Sequence, residues 1–187
     1  MMLELEKKIL LSEKEYKYLL CHEFCIGDVQ IHKNYYYDTD DLVLNKANIT
    51  YRIREKDGEY IATIKDHQGG DGSFEISKSV RNAFDDIAFN DMNINLKGVL
   101  MTERWCSEPF DGIKIMLDCN EYFDVKDYEL EVEYVQGKEH IANEIIKSFG
   151  EYLYFHDMII SIDDFVNRVG THPNKSQRFF KRLVASE

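Results

Sequence analysis

The sequence predicts an α+β fold in which an antiparallel β-barrel is flanked by helices. Much of the chain alternates between apolar and polar residues with a period of two, which is typical of half-buried strands. Asp-Gly pairs at 57–58 and 111–112 separate such runs and mark hairpin turns. Few helical stretches lie between the strands. A set of about eight or nine consecutive hairpin-linked strands often closes into a barrel.

The first part of the chain combines strand and helix signals. Residues 2–11 alternate with a period of two and are predicted to form a strand. Ser12 stands three residues before Glu15, which is the spacing of a capping box and predicts a helix from Glu13 to Phe24. Aromatic and β-branched residues then predict further strands at 30–38, 48–56, 59–67 and 73–80.

The second part of the chain is mostly strand-like and ends in helices. Residues 81–97 show no clear strand period and are interpreted as irregular or helical. Strands are predicted at 97–110, 113–123 and 128–135. Helical patterns follow over 138–150 and 174–185, the latter with Asn174 as its N-cap. No internal repeat or low-complexity segment interrupts the chain, so residues 1–187 are predicted to form one domain.

The composition limits the classes of function. With 44% hydrophobic and 31% charged residues, the 187-residue chain has the composition of a soluble globular domain. Its net charge of −12 disfavours binding to nucleic acid or to anionic membrane surfaces. No apolar run is long enough to span a membrane, and the first residues are too charged for a signal peptide. We therefore expect a cytoplasmic protein with no nucleic-acid or membrane partner.

Cysteine and histidine residues form no recognisable metal or catalytic pattern. The cysteines lack metal-binding spacing and are interpreted as small apolar residues in a reducing compartment. They are Cys21, Cys25, Cys106 and Cys119. The histidines are scattered and are interpreted as surface or helix-packing residues. They are His22, His32, His67, His140, His156 and His172.

The polar faces of the predicted strands carry a selective set of charges. Glu4, Glu6 and Lys8 share one face of the first strand. The last strand presents Glu129, Glu131 and Glu133, and the strands between present Arg52, Arg54, Lys65, Arg104 and Lys114. Each charged face taken alone is explained by exposure to water. Because the opposite faces already supply apolar residues to pack under helices, a closed barrel would instead turn the charges inward.

A charged interior has a definite chemical use. Buried charges are costly unless they are paired, hydrated or bound to a ligand. Carboxylates from the first and last strands could share a hard divalent cation, which prefers oxygen ligands. Arginine and lysine on the other walls would face a polyanion, since guanidinium groups offer paired donors to phosphate oxygens. The pattern therefore predicts a tunnel for a chain of phosphates bridged by metal.

Several motifs resemble those of the CYTH superfamily, the triphosphate tunnel metalloenzymes. The run Glu4-Leu5-Glu6-Lys7-Lys8 is similar to the N-terminal ExExK signature of that family. Further similar motifs follow in order, namely YYYDT at 35–39, YRIR at 51–54, TIK at 63–65, TER at 102–104, LD at 117–118 and ELE at 129–131. The segments NKS at 174–176 and RFF at 178–180 resemble the C-terminal helix of bacterial members.

The resemblance implies an eight-stranded antiparallel barrel, the tunnel fold, with Mg²⁺ or Mn²⁺ as cofactor. The metal ligands that it implies are Glu4, Glu6, Glu129 and Glu131. The phosphate-binding residues that it implies are Lys8, Arg52, Arg54, Lys65 and Arg104, with Lys114 and Lys175 as further candidates. The roles of Glu75, Asp118 and Glu133 stay open between tunnel residue and structural residue.

The function implied is that of a metal-dependent triphosphatase, which hydrolyses a small-molecule triphosphate and releases phosphate. As a substrate, inorganic triphosphate requires the fewest recognition features in addition to the charged tunnel. Thiamine triphosphate, conversion of ATP to cyclic AMP as in class IV adenylyl cyclases, and a non-catalytic polyphosphate- or nucleotide-binding module are the alternatives. Glu4 and Glu129 are predicted to be catalytic. Either a glutamate or Lys8, if its pKa is lowered, would accept a proton from the attacking water. We expect a monomer or a homodimer.

Overall fold

Eight antiparallel strands close into a barrel. The computed structural model of the protein describes residues 2–23, 29–67, 72–84, 88–89 and 92–186. The barrel strands are β1 (Met2–Leu11), β2 (Gln30–Asp38), β3 (Ile49–Lys56), β4 (Glu59–His67), β5 (Gly72–Val80), β8 (Asn95–Phe110), β9 (Ile113–Tyr122) and β10 (Val125–Tyr134). Their order is β1-β10-β9-β8-β2-β3-β4-β5, and β5 pairs with β1 to complete the ring. The short strands β6 (Ala88–Phe89) and β7 (Met92–Asn93) form a separate ribbon.

Five helices are present in the described part of the chain. They are α1 (Glu13–His22), α2 (Val43–Lys46), α3 (Glu139–Phe155), α4 (Ile162–Asn167) and α5 (Lys175–Ser186). The predicted capping box starts α1, since the backbone N–H of Glu15 donates to Ser12 Oγ and the backbone N–H of Ser12 donates to Glu15 Oε2. Asn174 caps α5 by accepting the backbone N–H of Gln177 at 2.9 Å. None of these helices is long and apolar enough to cross a bilayer.

The predicted fold class is confirmed, with differences at particular elements. The strands predicted at 30–38 and 59–67 have the predicted bounds. The segment interpreted as irregular or helical, 81–97, instead contributes β6, β7 and the first residues of β8. The first residues of β8 are strand because β8 pairs with β2 as far as Asn95, past a register shift that local alternation does not reveal. Helices α2 and α4 were not predicted, and Phe24, the predicted end of α1, lies outside the described residues.

The largest apolar core lies outside the barrel wall, beneath helices. Alternate residues of β1, β9 and β10 point outward and pack against α1, α3 and α4, burying Ile9, Leu117, Leu130, Val132, Leu19, Ile146 and Phe165. Each fully buried side chain of this kind contributes about 1.5–3 kcal/mol to folding. Trp105 packs against this cluster, with its ring 6.2 Å from that of Tyr16. The placement of the core leaves the opposite strand faces to line the interior.

Helix α5 packs across the barrel strands on its own apolar cluster. Phe179 and Phe180 are buried against Tyr36, with ring centroids 4.8 and 5.9 Å away. Gly98 lies directly beneath Phe179. A Cβ at this position would lie 2.9 Å from the Phe179 ring, and the φ of +152° at Gly98 also disfavours a residue with a side chain. The close approach of α5 brings Lys175 at its first turn into contact with tunnel carboxylates.

Candidate active site

The charged faces of the strands point into the barrel, as the alternation predicts. A central cavity of about 60 Å³ lies among them. Residues of β1, β3, β4, β8, β10 and α5 are among those that line it. The charged ones are Glu4, Glu6, Lys8, Arg52, Arg54, Lys65, Arg104, Glu131, Glu133 and Lys175. The cavity is small because the charged side chains around it reach one another.

A larger cavity of about 550 Å³ adjoins the central one and shares Arg54, Arg104 and Glu133 with it. Lys114 lines this outer cavity and does not line the central one. Its ammonium lies 3.4 Å from Glu108 Oε1, and its side chain is about two-fifths exposed, at 41%. Lys114 therefore lies with Arg54 and Arg104 at the outer cavity and does not reach the central one, and its role in holding phosphate stays a prediction.

The first carboxylate group consists of Glu4, Glu6 and Glu133. Their oxygens lie within 4.8 Å of one another. Lys65 donates to Glu6 at 3.1 Å and also to Glu4, and Lys8 donates to Glu6 at 2.6 Å. Burial alone would raise the pKa of Glu6, but Lys8 and Lys65 lower it to about 2. Burial, together with Glu4 and Glu131, raises the pKa of Glu133 to about 7.

The second carboxylate group consists of Asp118, Glu129 and Glu131, which are only 0%, 1% and 5% exposed. Their oxygens also lie within 4.8 Å of one another. Arg104 donates to Asp118 at 2.7 and 2.5 Å and to Glu131 at 2.6 Å. Burial by itself would raise the pKa of Glu131, but Lys175 and Arg104 hold it well below its ordinary value.

The four glutamates predicted as one metal set are thus divided between two groups. Glu4 and Glu6 lie with Glu133, because Glu6 and Glu133 are direct partners across β1 and β10. Glu129 and Glu131 lie in the second group, which Asp118 completes. Of the residues left open by the sequence, Asp118 and Glu133 therefore face the tunnel. Glu75 belongs to neither group and accepts a hydrogen bond from Ser77 at 2.9 Å.

Either group has the chemistry of a site for Mg²⁺ or Mn²⁺. Three carboxylates converge in each, and hard divalent cations prefer such oxygen donors. Buried anions held this close repel each other and call for a cation. Lysine and arginine side chains supply positive charge to these carboxylates, as the contacts of Lys65, Arg104 and Lys175 show. The donor set fits the cofactor that the sequence predicts.

The surroundings of Lys8 do not favour it as a proton acceptor. Burial alone would lower the pKa of its ammonium, but Glu6, Glu131 and Glu129 raise that pKa above its ordinary value. The lowered pKa that a base would need is therefore not present. Lys8 keeps its proton and its ion pair with Glu6, which is the state that suits contact with phosphate.

Arginine residues form a wall with little compensating charge. Arg54 Nε donates to Asn34 Oδ1 at 2.9 Å, and Arg52 Nε is buried with no hydrogen-bond partner among the described residues. Burial, Arg52 and Arg104 together lower the pKa of Arg54 to about 9. Buried like charges with spare donors indicate an anion-binding surface. Arg52 and Arg54 both line the central cavity, and their role in phosphate binding stays a prediction.

Two histidines lie in the tunnel, so the interpretation of all six as surface or helix-packing residues was wrong for them. His32 is only 4% exposed, and its Nε2 has no partner in the described part of the chain. Burial, Arg54 and Arg104 lower its pKa to about 3. His67 Nε2 lies 3.1 Å from Thr50 Oγ1. The period of two along β2 was the available signal, since His32 is four residues from Tyr36, which lines the central cavity.

Arg178 contacts the second carboxylate group, and sequence reasoning missed this because it noted Arg178 only within a C-terminal motif. Its guanidinium donates to Asp127 at 2.9 and 3.0 Å and to Glu129 at 3.3 Å. Burial alone would lower its pKa, but Glu129 and Asp127 raise it. The amphipathic pattern of α5 was the signal in the sequence that could have indicated that Arg178 faces the barrel.

Cys119 is buried and Cys106 is half-buried, in agreement with their interpretation as small apolar residues, whereas Cys21 is exposed. Cys21, Cys106 and Cys119 are free thiols, and burial raises the pKa of Cys106 and of Cys119, which keeps both protonated. Neither described carboxylate group includes a cysteine. Cys25 lies outside the described residues.

Comparison with known proteins agrees with the geometry. The sequence profile of the CYTH domain matches residues 2–156. YjbK of Bacillus subtilis (strain 168), named as a candidate triphosphatase, is 29% identical over 147 residues, which cover 70% of this chain and 77% of YjbK. A candidate adenylate cyclase from Bacillus halodurans has a similar structure, with a TM-score of 0.68, 26% identity and coverage of 95% of this chain and 97% of its own.

A more distant structure shares the fold. HpAC1 from Hippeastrum, a candidate adenylyl cyclase described as having a dominant triphosphatase activity, gives a TM-score of 0.60 at 15% identity. The match covers 87% of this chain and 99% of HpAC1. At this identity the similarity shows the barrel architecture alone.

Proposed function

The chain belongs to the CYTH domain family, and from this premise we propose that it is a divalent-metal-dependent triphosphatase. The observation that carries the proposal is the division of the buried interior into an arginine wall with spare donors and two groups of carboxylates. The guanidinium groups of the wall suit phosphate oxygens, and the carboxylates would hold a divalent cation. The name of YjbK, which refers to triphosphatase activity, supports the same reaction.

Phosphate binding is assigned to the basic residues that line the central cavity. Arg52 and Arg54 offer guanidinium donors from β3, and Lys8 and Lys65 offer ammonium groups from β1 and β4. Hydrolysis of a phosphoanhydride requires mainly positioning and stabilisation of negative charge, because little other chemistry is demanded of the protein. A rigid barrel that fixes these side chains before the substrate arrives meets that requirement.

Metal binding is assigned to the two carboxylate groups. Asp118, Glu129 and Glu131 would hold one Mg²⁺ or Mn²⁺, and the group around Glu6 is the candidate for a second. A cation bound there would offset charge on the phosphate oxygens and orient the attacking water. For acceptance of the water's proton we favour a glutamate over Lys8, whose ammonium is engaged by Glu6 at 2.6 Å.

Inorganic triphosphate is the proposed substrate. The central cavity is small, and ten of the fifteen described residues that line it are charged. Tyr36, the inward residue of the tyrosine run, is already packed against Phe179 and Phe180. An organic triphosphate would have to place its organic part in the adjoining cavity of about 550 Å³. We further propose that the chain acts as a single cytoplasmic domain, as a monomer or a homodimer.

A phosphate-release panel tests the proposed function. Triphosphate, thiamine triphosphate, ATP and pyrophosphate are each incubated with Mg²⁺ or Mn²⁺, and cyclic AMP is measured in the ATP samples. We expect the fastest release from triphosphate and none in EDTA. Cyclic AMP formed from ATP without orthophosphate would identify a cyclase instead. Tight metal-enhanced binding without any product would identify a binding module.

A further inference from the structure

The ammonium group of Lys175 lies among the three carboxylates of the second group. It is 2.5 Å from Asp118 Oδ2, 3.3 Å from Glu129 Oε2 and 3.2 Å from Glu131 Oε1. These are the same three residues whose oxygens converge within 4.8 Å. A divalent cation held by the three would need the space and the charge that this ammonium takes.

The charge of the second group is nearly balanced before any ligand arrives. Lys175 and Arg104 pair with Asp118 and Glu131. Arg178 pairs with Glu129 and with the neighbouring Asp127. Adding a dication to this arrangement would place it beside three cationic side chains, which repel it in a buried site with weak screening. A metal ion by itself should therefore bind weakly here.

Of these three cations, Lys175 is the one that contacts all three carboxylates of the second group, and it lies at the N-terminal end of α5. Asn174 caps the helix, and Ser176 Oγ is 2.7 Å from Thr50 Oγ1 on β3. Arg104, in contrast, is held by β8 directly opposite Asp118 on β9. Because Lys175 belongs to a helix end rather than to the barrel wall, its long side chain can leave the carboxylates without breaking the sheet.

We propose that Lys175 is a built-in competitor of the divalent cation, which it keeps out of the second carboxylate group until a triphosphate draws its ammonium away. This inference rests on the proposed function, since it takes Asp118, Glu129 and Glu131 as metal ligands. Triphosphate supplies the negative charge with which the released ammonium of Lys175 then pairs. Metal and triphosphate therefore bind cooperatively. Because the coupling is reciprocal, metal also raises the affinity for triphosphate. The tunnel thus selects metal-bound triphosphate over free metal.

The test measures binding of Mn²⁺ alone, by isothermal titration calorimetry in the absence of triphosphate. Lys175→Gln removes the competing charge, and we expect it to bind Mn²⁺ at least about tenfold more tightly than the native protein. Lys175→Arg keeps a positive charge at this position and should stay within about threefold of native. Lys181→Gln, at an exposed position on the same helix, is the matched control and should equal native.

A second measurement uses the native protein, so the test does not depend on the folding of a variant. Saturating Mn²⁺ should displace the ammonium and speed amide hydrogen exchange in the peptide that covers Asn174 to Phe180. Equal or weaker Mn²⁺ binding by Lys175→Gln, or unchanged exchange in native protein that does bind Mn²⁺, would overturn the inference and leave the proposed function standing. If no variant binds Mn²⁺ and no phosphate is released, the proposed function itself fails.

Discussion

Arg104 and Asp118 form a doubly hydrogen-bonded ion pair inside the barrel. They are direct partners across β8 and β9, with Nε–Oδ1 and Nη2–Oδ2 distances of 2.7 and 2.5 Å. Both side chains are buried, so water scarcely screens the pair. Removal of one partner would therefore leave a buried charge without its main counter-charge, which is the costly way to disrupt such a pair.

Asp118→Asn should destabilise the metal-free protein by about 3 kcal/mol, because the buried Arg104 guanidinium would lose its bidentate partner and keep only Glu131. Urea denaturation in EDTA measures the free energy of unfolding. The matched control is Asp124→Asn, which disrupts the pair with Arg182 at the surface and should change stability little. Equal losses of unfolding free energy in Asp118→Asn and Asp124→Asn would show that the buried pair contributes no more to stability than the surface pair.

Arg52→Met should weaken triphosphate binding without destabilising the fold. The Arg52 guanidinium adds a like charge beside Arg54 and has a spare Nε donor, so its removal relieves repulsion in the free protein. Loss of a charged hydrogen bond to phosphate should lower the affinity by about 10- to 100-fold. Calorimetry with triphosphate in EDTA and thermal denaturation measure the two effects. Arg182→Met serves as the control. A lower melting temperature with unchanged affinity would argue against the anion-binding wall.

His32 should make the stability depend on pH. Its pKa is about 3 in the folded protein and about 6.5 when unfolded, so the unfolded chain binds the proton more readily between those values. Stability is therefore retained above the unfolded pKa and lost as the pH falls. From about pH 7 to about pH 5, native protein should lose about 1 to 2 kcal/mol more than His32→Gln. Urea denaturation at both pH values measures this difference, and parallel pH profiles would contradict the assignment.

Glu129→Gln and Glu4→Gln should each reduce metal-dependent phosphate release, since each removes a charge from one of the two carboxylate groups. For Glu129→Gln we also expect Mn²⁺ affinity to fall by about tenfold or more. Glu75→Gln is the matched control, because Glu75 lies outside both groups. Circular dichroism checks that the variants fold. Unchanged turnover in both tunnel variants would remove the metal-ligand assignment.

Local patterns in the sequence predicted the strands and the sorting of charge between their faces. Backbone geometry makes every second strand residue share a face, so Glu4, Glu6 and Lys8 had to lie together. The capping box at Ser12 and Glu15 is likewise a local motif, and it formed as predicted. Recurrence of charged faces on several strands was enough to indicate an inward-facing polar surface. The strand predicted over 97–110 begins earlier, at Asn95, because pairing with β2 rather than local pattern extends β8.

The tertiary structure decided which charges meet. Strand register sets Glu6 opposite Glu133 and Arg104 opposite Asp118, and a shift of one residue would change every such pair. Register therefore divided the predicted metal ligands into two groups. Packing of α5 brought Lys175 to Asp118, 57 positions away in sequence. The burial and the lowered pKa of His32 also depend on barrel closure, because contacts between distant segments are not encoded in the local spacing of residues.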